Sequence, residues 1–149
     1  MRGQWFERAD AEVLAIGADI TAVPVRAVQQ ALAALAQGDT AARDAAAQML
    51  VELGRSKPTR ARFMVAALAA LGQDVQALQL ADEIAGGAGV PPTQIFFQPA
   101  LANARTLPEF AALTQRLGMY DYWRQSRRLP DFCSTTAPPP LCTGLATPG

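Results

Sequence analysis

The segment PTRARFMVAALAALGQDVQALQLADEI, residues 58–84, carries the signals of two helices around one glycine. Pro58 suits the first turn of a helix, where its missing N–H would make no intrahelical bond. Gly72 ends that helix as a C-terminal glycine. Asp74 stands where it can cap the next one, which runs to Ile84 and stops in Gly86-Gly87. Residues 58–87 thus form one helical pair. The punctuation recurs along the chain. Pro24, Pro58 and Pro92 are evenly spaced; Gly38 and Gly72 repeat the interval, as do Ile16, Leu50 and Ile84. A period of about 34 residues belongs to stacked helix–turn–helix units. The chain is therefore expected to be all-α.

Upstream, residues 24–54 form another pair. Val25, Val28, Leu32 and Leu35 draw an apolar stripe along the helix from Pro24 to Gln37, and Gly38 ends it. Asp39 can cap the following helix, expected to run to about Leu53 and stop at Gly54. Residues 4–20 give one further helix, with Phe6, Ala9, Val13, Ile16 and Ile20 on one stripe. One period back from Asp39 falls on Trp5, and Val13, Ala47 and Ala81 coincide. This helix therefore matches the second half of a pair. An array cut in mid-unit exposes a face that neighbours would cover. The chain is accordingly expected to be the C-terminal part of a longer array. The competing reading is a short chain whose first helix caps the stack. An exposed first helix could also pair between copies and make a homodimer.

Downstream, Pro92-Thr93 repeats Pro58-Thr59, and Phe97 falls on Phe63. Then Pro99 interrupts the register. Leu107-Pro108-Glu109 opens a helix carrying Phe110, Leu113 and Leu117, which ends at Gly118, and a short helix over 120–127 follows. Residues 91–132 read as a degenerate repeat that caps the array, since a terminal repeat must present one face to water. Residues 133–149 are expected to be a Pro-rich flexible tail, because Ser134-Thr135-Thr136-Ala137 and Pro138-Pro139-Pro140 disfavour helix.

Composition limits function. The chain has 149 residues, half of them apolar, and many of those are alanine, which favours helix but buries little surface. A formal net charge of zero argues against a direct nucleic-acid binder. There is no histidine, the commonest general acid/base and metal ligand, and no nucleophile elbow or phosphate-cradling motif. No catalytic residue, cofactor or metal is therefore assigned. Gly86-Gly87-Ala88-Gly89 reads as a connection between repeats, and the adjacent acids Asp82 and Glu83 point to different sides of a helix. No apolar run approaches the roughly 20 residues of a membrane span. Glu7, Arg8 and Asp10 stand where a secretory leader would be apolar.

The segment from Phe110 through Leu113, Leu117, Gly118, Asp121, Tyr122, Trp123 and Arg124, followed by Leu129-Pro130-Asp131-Phe132-Cys133, is distinctive. It resembles the closing part of tetratricopeptide-containing C-terminal regions in bacterial signalling and regulatory proteins, many of which carry a winged-helix or adenylate-cyclase domain. Phe97-Gln98-Pro99, Arg105 and Pro108 fit that ending. The close resemblance covers residues 96–133; upstream it extends to layout alone, and the large aromatics common in such repeats are missing. It implies a right-handed tetratricopeptide-like solenoid of antiparallel helix pairs with an atypical C-terminal cap. It also implies a non-catalytic protein–protein interaction or regulatory module, residing in the cytoplasm or periplasm as part of a larger protein. The alternative is a sensing domain that binds a small molecule between repeats.

In such stacks the first helix of each pair lines a concave face that binds a protein or peptide. Arg26 and Arg60 are equivalent in successive units, Gln94 is their counterpart in the third, and Arg62 lies nearby. These four are the candidate partner-binding residues. Tyr120, Tyr122, Trp123 and Phe132 are expected to form an aromatic cluster in the cap, with Arg124, Arg127 and Arg128 paired to Asp121 and Asp131 around it. For Cys133 and Cys142, a disulfide and two free thiols both remain open.

Overall fold

The computed structural model describes residues 29–30, 33–34, 37–57, 60–87 and 93–146. The helix expected over 4–20, most of the one over 24–37, and Pro24, Arg26, Pro58 and Pro92 lie outside them. Among the described residues every regular element is helical and there is no strand. The chain divides into two units, Met1–Ala46 and Ala47–Gly149, with the boundary inside helix α1 (Thr40–Ser56).

In the first unit, Gly38 takes a left-handed conformation (φ 69°) and its N–H returns to the Ala34 carbonyl at 3.2 Å, closing a helical turn. Asp39 Oδ1 then accepts the Ala41 N–H at 3.0 Å and caps α1. In the second unit, Gly72 repeats this left-handed geometry one period later, with φ 76°. It follows α2 (Ala61–Ala70), and the Gln73 N–H reaches back to the Leu68 carbonyl at 2.9 Å. Helix α3 (Asp74–Ala85) begins at once. Its cap position is Gln73, and no side chain caps it. The expected Asp74 cap fails because the period aligns Asp39 with Gln73, which leaves Asp74 one residue inside the helix.

α2 buries Ala61, Met64, Val65, Leu68 and Ala69, and α3 buries Ala77, Leu78, Leu80 and Ala81, each a stripe at helical spacing. The two pack as a hairpin. α1 does not stop at Gly54 but continues to Ser56. A Cβ on Gly54 would lie 2.7 Å from Leu80 Cδ2, so this glycine serves the close approach of α1 to α3 rather than ending a helix. Ala47, Ala61, Ala77 and Ala104 are fully buried, as an alanine-rich core of close helices requires.

Beyond α3 the chain makes short 3-10 turns at Thr93–Phe97, Pro99–Leu101 and Ala104–Thr106. The first two rest on α2 and the third on α3. α4 (Pro108–Arg116) starts with proline in its first turn and packs against α3; it buries Phe110, Leu113 and Thr114. Gly118 separates it from α5 (Met119–Ser126), which buries Trp123. The region after Cys133 corrects the expectation of a flexible tail. A 3-10 turn at Asp131–Ser134 leads through an irregular segment to helix α6 (Leu141–Ala146), whose Leu141, Cys142 and Leu145 are buried. α6 rests on α5. The three prolines precede α6 rather than interrupt it, and Pro139 and Pro140 accept the first N–H groups of that turn.

Candidate functional site

α2 and the Thr93–Phe97 turn pack together. The turn reproduces the start of α2 one period further along the chain, so Phe97 matches Phe63. Both aromatics stay open to solvent, at 44% and 38% exposure. The Arg62 guanidinium carbon stands 4.6 Å from the centre of the Phe63 ring, a cation–π contact that holds the side chain over the aromatic face. Gln94 is exposed at the start of the turn. Of the four candidate partner-binding residues, Arg62 and Gln94 are thus solvent-facing. Arg60 is half-buried and already engaged in a polar contact, and Arg26 lies outside the described residues. The exposed phenylalanines were missed, although the signal was present in their shared position in the repeat.

A second feature lies between α1 and α3. A groove of about 270 Å³ is lined by Gln48, Val51, Glu52, Arg55, Gln76, Gln79 and Leu80. Gln76 Oε1 is buried there without a hydrogen-bond donor. Arg55 Nε and Nη2 donate to Glu83 Oε2 and Oε1 at 2.8 and 2.7 Å. This hydrogen bonding holds the Glu83 carboxyl below the usual range. From α4, Arg116 Nη2 donates to Asp82 Oδ2 of α3 at 2.7 Å. Neighbouring acids are therefore divided between two arginines from two helices, a bracing role and not paired acid/base chemistry.

The aromatic cluster has different members from those expected. Phe132 is its centre, with ring centroids 5.7 Å from Phe97, 6.0 Å from Phe110 and 5.9 Å from Trp123. Phe96 joins through Phe110. Arg105 lies against Phe132, its guanidinium carbon 5.2 Å from the ring centre. Its Nη1 donates to the Phe96 and Gln98 carbonyls at 2.9 and 3.0 Å. Partial burial pulls the Arg105 pKa down, and the two carbonyls take up the Nη1 end of the cation. Tyr122 is not in this cluster: it sits next to Trp123 in a short helix and is 57% exposed. Tyr120 instead brings its hydroxyl against Gly144 of α6. The arginine pairing expected around this turn is also corrected. Arg124, Arg127, Arg128, Asp121 and Asp131 are all exposed, and the arginines that brace acids in this unit include Arg55 and Arg116, which hold α3.

Cys133 and Cys142 form a disulfide, with Cα atoms 5.5 Å apart. Among the described residues no three histidine, cysteine, aspartate or glutamate side chains gather as a metal site, and no helix is long and apolar enough to cross a membrane. Compared with known proteins, the chain matches no family model, no curated protein and no solved structure.

Proposed function

We propose that this chain is a non-catalytic protein-interaction module: a tetratricopeptide-like stack of antiparallel helix pairs, serving a bacterial signalling or regulatory protein of the kind its closing segment resembles. The stacked reading is supported by the two left-handed glycines one period apart and by the α2–α3 hairpin that follows the same punctuation. The recognition face comprises Arg62, Phe63, Gln94 and Phe97. Half-exposed aromatics beside an arginine are the residue types that dominate binding energy at protein interfaces. Phe63 and Phe97 offer two apolar anchors at equivalent positions. Arg62 offers a charge for a carboxylate, and the Gln94 amide can bond a peptide backbone. The observation that carries the proposal is that the two phenylalanines left open among the described residues are the two that the repeat makes equivalent.

Selection from a random peptide library on the immobilised chain tests this. The wild type is expected to enrich peptides that an Arg62→Glu, Phe63→Ala double variant of unchanged helix content no longer retains. Equal retention by both would remove the face from consideration.

A second reading has its own observation. The α1–α3 groove, lined by the amides of Gln48, Gln76 and Gln79, would suit a small polar ligand. A ligand whose stabilising effect on the wild type disappears in Gln76→Leu would favour sensing over peptide recognition.

A further inference from the structure

We propose that the Cys133–Cys142 disulfide is a thiol-responsive latch, with Asp131–Ser134 as its fixed jaw and helix α6 as its moving jaw.

The two halves of the bond are held very differently. Next to Cys133, Phe132 is seated among Phe97, Phe110 and Trp123 and under Arg105, so that turn is fixed by contacts from four other places in the chain. Cys142 belongs to a helix of six residues. An isolated helix shorter than about 12 residues does not persist in water. α6 has Leu141, Cys142 and Leu145 to bury, and its packing partner is α5, where Gly144 lets the Tyr120 hydroxyl approach. Ordering a six-residue backbone costs about as much as burying so few side chains returns. The linking segment 135–140 contains no helix and is mostly exposed, so it adds little hold. The covalent bond is what tips α6 to the docked state.

Opening requires a dithiol reductant. One thiolate attacks the sulfur of Cys133, the more exposed of the two residues, and the S–S electron pair leaves with Cys142, which takes up a proton. The second thiol of the reductant then attacks the mixed disulfide, frees Cys133 as a thiol and leaves the reductant as its own disulfide. Two electrons pass to the protein. The reduced chain keeps its Phe132 cluster, while α6 leaves α5 and uncovers the surface beside Tyr120. The device does not rest on the recognition face proposed above, although Phe97 belongs to both.

Amide exchange on the full chain, before and after treatment with dithiothreitol under native conditions, tests the latch. Exchange over 141–146 is expected to accelerate at least about tenfold on reduction, while residues 119–132 keep their protection, and reoxidation is expected to restore the original rates. Unchanged protection over 141–146 would overturn the proposal by showing α6 to be held without the bond. Equal loss over 119–132 would also overturn it, making the bond a general staple. Because the experiment starts from folded, oxidised wild type, it does not depend on a cysteine variant folding; Cys133→Ser with Cys142→Ser is expected to reproduce the reduced pattern.

Discussion

Arg127 shows how a single residue can hold a position its chemistry does not favour. It ends α5 with φ 55°, the only non-glycine residue among those described to take a left-handed conformation. For a residue with a Cβ this costs roughly 1 kcal/mol, whereas glycine adopts it freely. Its side chain is exposed and makes no ion pair with the neighbouring acids, so nothing in the folded chain offsets the cost. Arg127→Gly is therefore expected to stabilise the protein by about 0.5–1 kcal/mol, read from the urea midpoint at constant slope. A loss instead would mean that the arginine makes a contact in solution. Gly54 is the converse case. There a glycine sits mid-helix, where it weakens α1, because Leu80 occupies the space a side chain would need.

At the scale of elements, α3 is the member that its neighbours brace. Arg55 of α1 and Arg116 of α4 grip Glu83 and Asp82. Both partners of the Arg55–Glu83 pair are about half exposed, at 58% and 45%, so solvent screens it and its contribution at neutral pH is small. Its signature is pH dependence. The Glu83 carboxyl is held below its ordinary value of 4.5, so its contribution is complete above that pH and is lost as pH falls through the lowered value. Glu83→Gln is expected to flatten the acid limb of stability below about pH 4.5 while changing the neutral midpoint little. Urea titrations of both proteins at neutral and acidic pH check this; parallel acid limbs would mean that the pair does not set the carboxyl's affinity for protons. None of this bracing could be read from the sequence, because each arginine meets its acid across 28 or 34 residues and no local pattern records such pairs. Local punctuation was legible: Gly38, Gly72, Gly118 and Pro108 bound helices as their backbone preferences dictate. Gly54 and Asp74 misled for one reason. Each residue type has a second use, close approach for glycine and a first-turn position for aspartate, and the choice depends on a partner helix or on a one-residue register. The tail misled because three prolines were weighed by their local effect, while the disulfide and the α5 surface order the helix beyond them. Of the proposed recognition face, Gln94 was legible from repeat register and Arg62 from its place two residues beyond Arg60. The two phenylalanines were placed by the same register, but their exposure depends on how the turn at 93–97 lies on α2.

At the scale of the molecule, Phe132 joins the parts of the C-terminal region that the sequence keeps apart. Its ring meets the 93–97 turn through Phe97, α4 through Phe110, α5 through Trp123 and the 104–106 turn through Arg105. It also precedes the cysteine that holds α6. A side chain shared by four other segments loses contacts with all of them at once when truncated, and turns already short of helical bonds have little with which to refill the space. Phe132→Ala is expected to cost about 3–5 kcal/mol, as for other buried phenylalanines, and to shift the Trp123 emission to the red as water reaches the indole. Tyr122→Ala, one residue from Trp123 but 57% exposed, is expected to stay within about 0.5 kcal/mol of wild type. Urea denaturation of the two variants side by side separates a cap organised around one ring from a diffuse aromatic patch. The first predicts a wide gap between the two costs; similar costs for both would mean that the segments hold together without Phe132.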